Sequence, residues 1–379
     1  MHTKIVCTLG PASSSPETIE AMIKAGMNIA RLNLSYGNND ERIDVISAIR
    51  SVSNKLNRST GIMLDLPGYK RRKGSIAEVF QDQLEFACKH EVDFIALSFI
   101  SSAQQVKDVR TLLDTIDPDM PLIVKIEQAE ALQDCENILA VCQGVMVARG
   151  DLALEISIEK VPLAQKLLIN KANRLGIPVI TATQMLESMV RNSSPTRAEA
   201  TDVTNAILDG TDAIMLSEES AVGKYPVEAV AMMKRIATEA ETAIQYEETL
   251  NHMPTGGILP EVNDATARAA CQIAHQINAK AILVFTSGGT TALRVSKYRP
   301  KQPVIAVTHN ERVVKRMSLP WGVIPVFRPE PGELEKVFEI SREVALKTGY
   351  IGKGDHIVIT AGLPLRTAGR TNLVRVQEI

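Results

Sequence analysis

Histidine, cysteine and aromatic residues are all scarce in this chain. The six histidines (His2, His90, His252, His275, His309, His356) show no ligand spacing and mostly fall outside strand ends. That argues against a zinc centre or a histidine-based triad. The five cysteines (Cys7, Cys88, Cys135, Cys142, Cys271) contain no CxxC pair and form an odd set, the pattern of buried, reduced thiols in a cytoplasmic protein. With aromatics at 4%, platforms for stacking nucleobases are not expected. A net charge of −2 removes any whole-chain argument for a nucleic-acid or membrane partner. No uninterrupted apolar run approaches the roughly 20 residues that span a bilayer. Met1 leads straight into HTKIVCTLG, without the charged and apolar regions of an export signal. The expectation is a cytoplasmic globular protein, and 379 residues suggest two or three domains.

Short β-rich runs alternate with helical patterns from the start. The strand candidates are KIVCTL (4–9), NIARLNL (28–34), GIMLDL (61–66), DFIALSF (93–99), PLIVKIE (121–127), GVMVARG (144–150), IPVITAT (177–183) and DAIMLS (212–217). They are nearly continuously apolar, as strands covered on both faces of a parallel sheet must be. Ser15 reads as an N-cap, Pro16 as the first helical residue and Gly26 as the stop; Leu175-Gly176 and Asp209-Gly210 end two further helices. Eight such units in about 240 residues match a (β/α)8 barrel. A doubly wound open sheet is the alternative, but no GxGxxG follows the first strand. The expected division is a barrel over 1–245, a Gly- and Pro-rich linker over 246–262, and a smaller α/β domain over 263–379.

In such a barrel the chemistry sits at the C-terminal ends of the strands. Those ends carry Arg31, Asn33 and Ser35; Asp65; Ser98; Lys125 and Glu127; Arg149 and Asp151; Thr183; and Ser217 and Glu219. Lys125 lies among apolar residues, and a buried ammonium needs a carboxylate neighbour or loses its proton. Glu127 and Asp151 end adjacent strands and suit Mg²⁺ or Mn²⁺, which keep several non-protein oxygen ligands; an ion pair with Arg149 is the plainer reading. The strand-to-helix turn at Gly150 offers the amides of Gly150 and Asp151 to an anion, and Arg31 could add a bidentate phosphate contact. The residues alone thus point to divalent-metal chemistry on a small carboxylate or phosphate, and leave kinase, aldolase and lyase open.

The segments TKIVCTLGPAS, AGMNIARLNLSYG, IVKIEQ, VMVARGDLALEI, ITATQMLESM, SPTRAEATDVTNAILDGTDAIMLSEESAVGKYPVEAV and GRTN run from Thr3 to Val376 and resemble those of pyruvate kinases. The resemblance implies a phosphotransferase acting on phosphoenolpyruvate and ADP. Lys125 would steady the enolate of pyruvate, while Glu127 and Asp151 hold Mg²⁺ or Mn²⁺. Arg31 would bind the phosphoryl group, and Thr183 with the Gly150 and Asp151 amides the carboxylate. Ser217 and Glu219 resemble the pair that relays a proton to the enol carbon. Asn33, Ser35 and Asp65 match a monovalent-cation pocket, but Lys70 stands where potassium-dependent members carry a glutamate. K⁺ is therefore not expected to be required. Arg72 matches a phosphate-facing arginine.

The chain departs from that pattern at Tyr36, Tyr69 and Arg71, and above all after Gly74. Family members insert there a lid of roughly a hundred residues, an ordinary domain size; here Ser75 follows at once. A missing lid implies weaker nucleotide binding and slower transfer, with metal binding and enolisation retained. In the C-terminal part, Thr286, Ser287, Gly288, Gly289, Thr290 and Thr291 lie between a strand and a helix start and resemble a pocket for phosphorylated effectors, faced by GLPLRTAGRTN. A homotetramer is implied, with contacts from the helix after SPTRAEA and from C-terminal helices. The alternatives are a non-catalytic effector-binding oligomer, and metal-dependent enolate chemistry on oxo acids.

Overall fold

A computed structural model describes residues 1–68, 76–253, 261–365 and 369–379, without the side chains of 76–78. Among the described residues, eight parallel strands close a barrel in sequence order: β1 (Lys4–Leu9), β2 (Ile29–Asn33), β3 (Gly61–Leu66), β4 (Phe94–Leu97), β5 (Leu122–Ile126), β6 (Gly144–Ala148), β7 (Val179–Ala182) and β8 (Ala213–Leu216). The last strand returns to the first with Lys4 opposite Ala213 and Cys7 opposite Leu216. Every strand residue is buried except the half-buried Asn33. This is the physical reason their sequences read as nearly continuous apolar runs rather than alternating ones.

Carboxylates fix the strand starts. Asp93, just before β4, accepts the Ile62 N–H of β3 at 2.7 Å and the Arg50 guanidinium at 2.9 Å. Asp212, just before β8, accepts the Val179 N–H of β7 at 2.9 Å. Helix ends follow the local chemistry. Ser15 caps Pro16–Ala25 by accepting the Thr18 N–H, and Gly26 stops it at φ +136°, a backbone open to glycine. Gly176 ends Val161–Leu175 in the left-handed region.

The chain divides into two compact units, Thr3–Ala243 and Ile244–Ile379. The stretch read as a linker contains a helix, Tyr246–His252, whose Leu250 is buried in the core of the second unit. The helix-breaking Gly and Pro that suggested a linker are confined to 254–260, outside the described residues. The second unit holds a sheet of β9 (Ala281–Phe285), β10 (Val304–Thr308), β11 (Val323–Phe327), β12 (His356–Ala361) and β13 (Leu373–Glu378), in the order β11-β10-β9-β12-β13. All neighbours are parallel except β12 and β13. Alternation sorts the two faces: Ile282 and Val284 join one core with the helix Val262–Gln276, and Leu283 and Phe285 join the other with Val337 and Val344.

The loop after β1 leaves room for nothing beyond glycine at one point. Ala12 N–H donates to the Ala221 carbonyl, and a Cβ on Gly10 would stand 2.7 Å from that oxygen. The obstacle is backbone, which cannot rotate away. Gly10→Ala should lower stability by about 1–3 kcal/mol, read as a lower denaturant midpoint at unchanged slope.

Candidate active site

The register of the barrel brings polar residues of the first five strands to one rim. Thr8 lies opposite Arg31, and Asn33 opposite Asp65. Around the 2% exposed Asp65 these side chains form a closed charge cluster. Arg31 reaches its Oδ2 from Nε at 2.8 Å and from a terminal nitrogen at 2.6 Å, a two-pronged pair, and donates its other terminal nitrogen to Thr8 Oγ1 at 2.8 Å. Ser98 Oγ donates to Asp65 Oδ1 at 3.0 Å and accepts from Lys125 Nζ at 2.7 Å. Lys125 Nζ also lies 3.6 Å from Asp65 Oδ2 and 3.2 Å from Glu127 Oε2. The ammonium inside β5 therefore has the carboxylate neighbours that its burial demands.

Asp65 and Glu127 are shifted in opposite directions. Burial works to raise the Asp65 carboxyl, but Lys125 and Arg31 outweigh it and hold it below its ordinary value. Glu127 moves the other way: burial raises it, and Lys125 and the Phe99 amide offset this only in part. Its Oε1 accepts the Phe99 N–H at 2.6 Å, while its buried Oε2 receives no hydrogen bond despite the nearby ammonium. Asp151 is half-buried on the helix Arg149–Glu155 and close enough to raise Glu127 further. A raised carboxyl with an unfilled oxygen, beside a second carboxylate, fits a hard divalent cation. Among the described residues no three His, Cys, Asp or Glu side chains form a metal group. Glu127 and Asp151 would thus supply two protein oxygens and leave the remaining positions to water and substrate, as Mg²⁺ prefers.

The neighbouring rim differs in detail from the sequence expectation. The Gly150 amide is not free: it donates to Thr183 Oγ1 at 2.8 Å, and that hydroxyl donates to the Ala182 carbonyl at 2.6 Å. Thr183 holds a left-handed backbone, φ +70°, which turns its hydroxyl back onto that amide. Arg149 does not pair with Glu127 or Asp151; it bonds Asp202 at 2.7 Å and the carbonyls of Ala182 and Thr183, fixing the loop after β7. Glu219, also raised by burial, accepts the N–H groups of Ser217 at 2.7 Å and Leu186 at 3.0 Å. Asn33 Oδ1 accepts the N–H of the exposed Ser35 at 2.9 Å, away from Asp65. Lys70 and Arg72 lie outside the described residues.

The same chain matches established family models over most of its length. The model described as pyruvate kinase, barrel domain, covers residues 1–79 and 73–230, and that of the pyruvate kinase alpha/beta domain covers 264–377. The chain belongs to the pyruvate kinase family. The pyruvate kinase of Clostridium acetobutylicum is 36% identical over 470 residues, covering all of this chain and 99% of that protein. Those of Sporosarcina psychrophila, 37% identical, and Geobacillus stearothermophilus, 36%, cover all of this chain and 80% of theirs. An alignment of 470 positions on a chain of 379 residues leaves 91 without a counterpart here. The barrel match breaks at 73–79, so pyruvate kinases of full length carry at this join a segment that the chain lacks.

Two participants in this pyruvate kinase rim escaped the reading of strand ends. Thr8 sits inside β1, where its signal was a lone hydroxyl in a buried run; it links Arg31 to the Leu216 carbonyl of β8 at 2.9 Å. The Phe99 amide has no sequence signal at all. In the second unit a separate cavity is lined by Thr286, Ser287, Gly288, Thr290 and Thr291, with Arg328 and Arg370. Gly289, grouped with them in sequence, points elsewhere, its missing Cβ facing Met317, while its N–H donates to Thr286 Oγ1 at 2.9 Å.

Removing the carboxylate at the centre tests the cluster. Asp65→Asn leaves Arg31 and Lys125 buried without their shared anion and should cost about 3–5 kcal/mol in denaturant unfolding at pH 7. A depressed carboxyl stabilises fully above its unfolded value, about 3.9 for aspartate, and loses that contribution as pH falls through the folded one. The gap between wild type and Asp65→Asn should therefore narrow on acidification below pH 4.

Proposed function

We propose that this rim transfers the phosphoryl group of phosphoenolpyruvate to ADP, giving pyruvate and ATP, and does so slowly because no lid covers it. The observation that carries the reading is the buried Lys125 ammonium held among Asp65, Ser98 and Glu127. A fixed, desolvated cation at a barrel mouth stabilises a developing enolate far better than one in water. Arg31, anchored on Asp65 and Thr8, is oriented for a phosphoryl group rather than free to swing. The carboxylate falls to Thr183 and the Asp151 amide, since the Gly150 amide is spent on the Thr183 hydroxyl, and the Ser217 hydroxyl, on the segment whose amide Glu219 holds, serves proton delivery. A divalent ion on Glu127 and Asp151 supplies charge neutralisation and polarises substrate oxygens when bound. Transfer of this kind is mostly positioning and electrostatics, and both weaken in a site open to water.

Lys70 takes the place of K⁺, so turnover is independent of potassium. A phosphorylated effector binds the cavity of the second unit, where hydroxyls and two arginines converge. The chain is a homo-oligomer, the expected tetramer: Leu154 is 86% exposed, Ile158 75% and Leu163 67%, apolar side chains that association would cover. These lie outside the helices expected from sequence to make the contacts. The chain is cytoplasmic, in keeping with five cysteines that form no disulfide. Among the described residues no helix is long and apolar enough to cross a membrane.

The second reading is metal-dependent enolate chemistry on an oxo acid without nucleotide, favoured by a complete enolate cluster beneath an absent lid. A coupled assay of phosphoenolpyruvate and ADP with Mg²⁺ or Mn²⁺, with and without K⁺, is run beside solvent exchange at the pyruvate methyl. We expect exchange to persist, pyruvate formation to be measurable with turnover and ADP affinity below those of lid-bearing relatives, and no response to K⁺. Lys125→Met should abolish both activities. Exchange without any phosphoryl transfer would establish the second reading; neither activity would leave a non-catalytic effector-binding protein.

A further inference from the structure

Phe99 is the bulkiest side chain on a left-handed backbone at this rim. Its φ is +56°, a region that large side chains rarely enter. It follows directly on Ser98, which bridges Asp65 and Lys125, and precedes the buried Ile100, so the turn is pinned on both sides. Two consequences of the turn are visible. It aims the Phe99 N–H at Glu127 Oε1, 2.6 Å away. It also lays the ring against the end of β3, where a Cβ on Gly68 would fall 1.7 Å from ring atom Cδ2. The ring can occupy that place only because residue 68 is glycine.

The effect reaches Glu127. With Oε1 held by the amide, Oε2 is buried with no hydrogen bond and meets the Lys125 ammonium at 3.2 Å. Released from the amide, the carboxylate could turn Oε1 onto the ammonium as well and close into a two-oxygen ion pair. That would remove a cation ligand and blunt the ammonium together. We propose that Phe99 is a positioning residue: its left-handed turn, locked by the ring over Gly68, sets Glu127 so that one oxygen stays available to a divalent cation. In this role Phe99 acts through Glu127. The proposal rests on the reading of Glu127 and Asp151 as the cation site.

Binding of Mn²⁺ to the full chain without substrate, followed by the electron-spin resonance of free Mn²⁺, tests this directly. Phe99→Val disfavours the left-handed turn, and Gly68→Ala displaces the ring from the opposite side. Each should weaken Mn²⁺ binding by about tenfold or more, the usual effect of removing a partner that orients a ligand. Phe99→Tyr, which keeps turn and ring, should stay within about threefold of wild type on the same scale. In turnover assays the half-saturating Mn²⁺ should rise by the same factor as the dissociation constant, while the rate at saturating Mn²⁺ falls less. Glu127→Gln serves as the control. If it abolishes binding while Phe99→Val and Gly68→Ala bind as wild type, the positioning role is overturned and the cation site stands. If Glu127→Gln binds Mn²⁺ as wild type does, the cation site is itself wrong, and the role of Phe99 falls with it.

Discussion

One buried carboxylate organises the barrel rim. Asp65 is sealed from water and would be costly there alone; it persists because Arg31 from β2 and Lys125 from β5 converge on it. The dependence is mutual, since neither cation could be desolvated at that depth without it. Each further residue is then placed by what this arrangement leaves over. Ser98 fills the remaining oxygen of Asp65, Thr8 takes the spare end of Arg31, and Glu127 receives the side of Lys125 that faces the opening. Charges assembled in this way are fixed before any substrate arrives, which is the condition under which electrostatics lowers a barrier most.

Around this cluster the backbone is held by side chains that do no chemistry. Arg149, whose plainer sequence reading was an ion pair with Glu127 or Asp151, spends its donors on Asp202 and on the carbonyls of Ala182 and Thr183. Glu219 gathers two amides from different loops. Both are buried polar groups whose full pairing makes the loops after β6, β7 and β8 rigid. Rigidity matters more than usual here. Relatives of full length carry an extra segment at the join after β3, and this chain meets any substrate without it.

Much of the architecture was legible because it depends on local or periodic signals. Nearly continuous apolar runs of six or seven residues marked all eight barrel strands, and Ser15, Pro16 and Gly26 marked a helix at both ends. Candidate site residues were legible for a related reason. A lysine in the middle of PLIVKIE, or an aspartate closing GIMLDL, is a polar residue where apolar ones are expected, and burial makes such exceptions costly. The segment 246–252 was misjudged because its Gly and Pro neighbours dominated the pattern, although YEETLNH itself forms a helix.

The sequence by itself determined the order of strands, the barrel closure and the set of charges available at its mouth, since these follow from hydrophobic period and strand ends. Only the tertiary structure decided how those charges pair, because pairing depends on register between strands remote in sequence. Asp65 meets Lys125 across two strand spacings, the Gly150 amide is already taken by Thr183, and Glu127 is turned by the amide of Phe99. A backbone N–H has no residue identity to read, and a left-handed φ at a phenylalanine leaves no mark in the string of letters. Those are the features that turn a collection of polar strand ends into an oriented site.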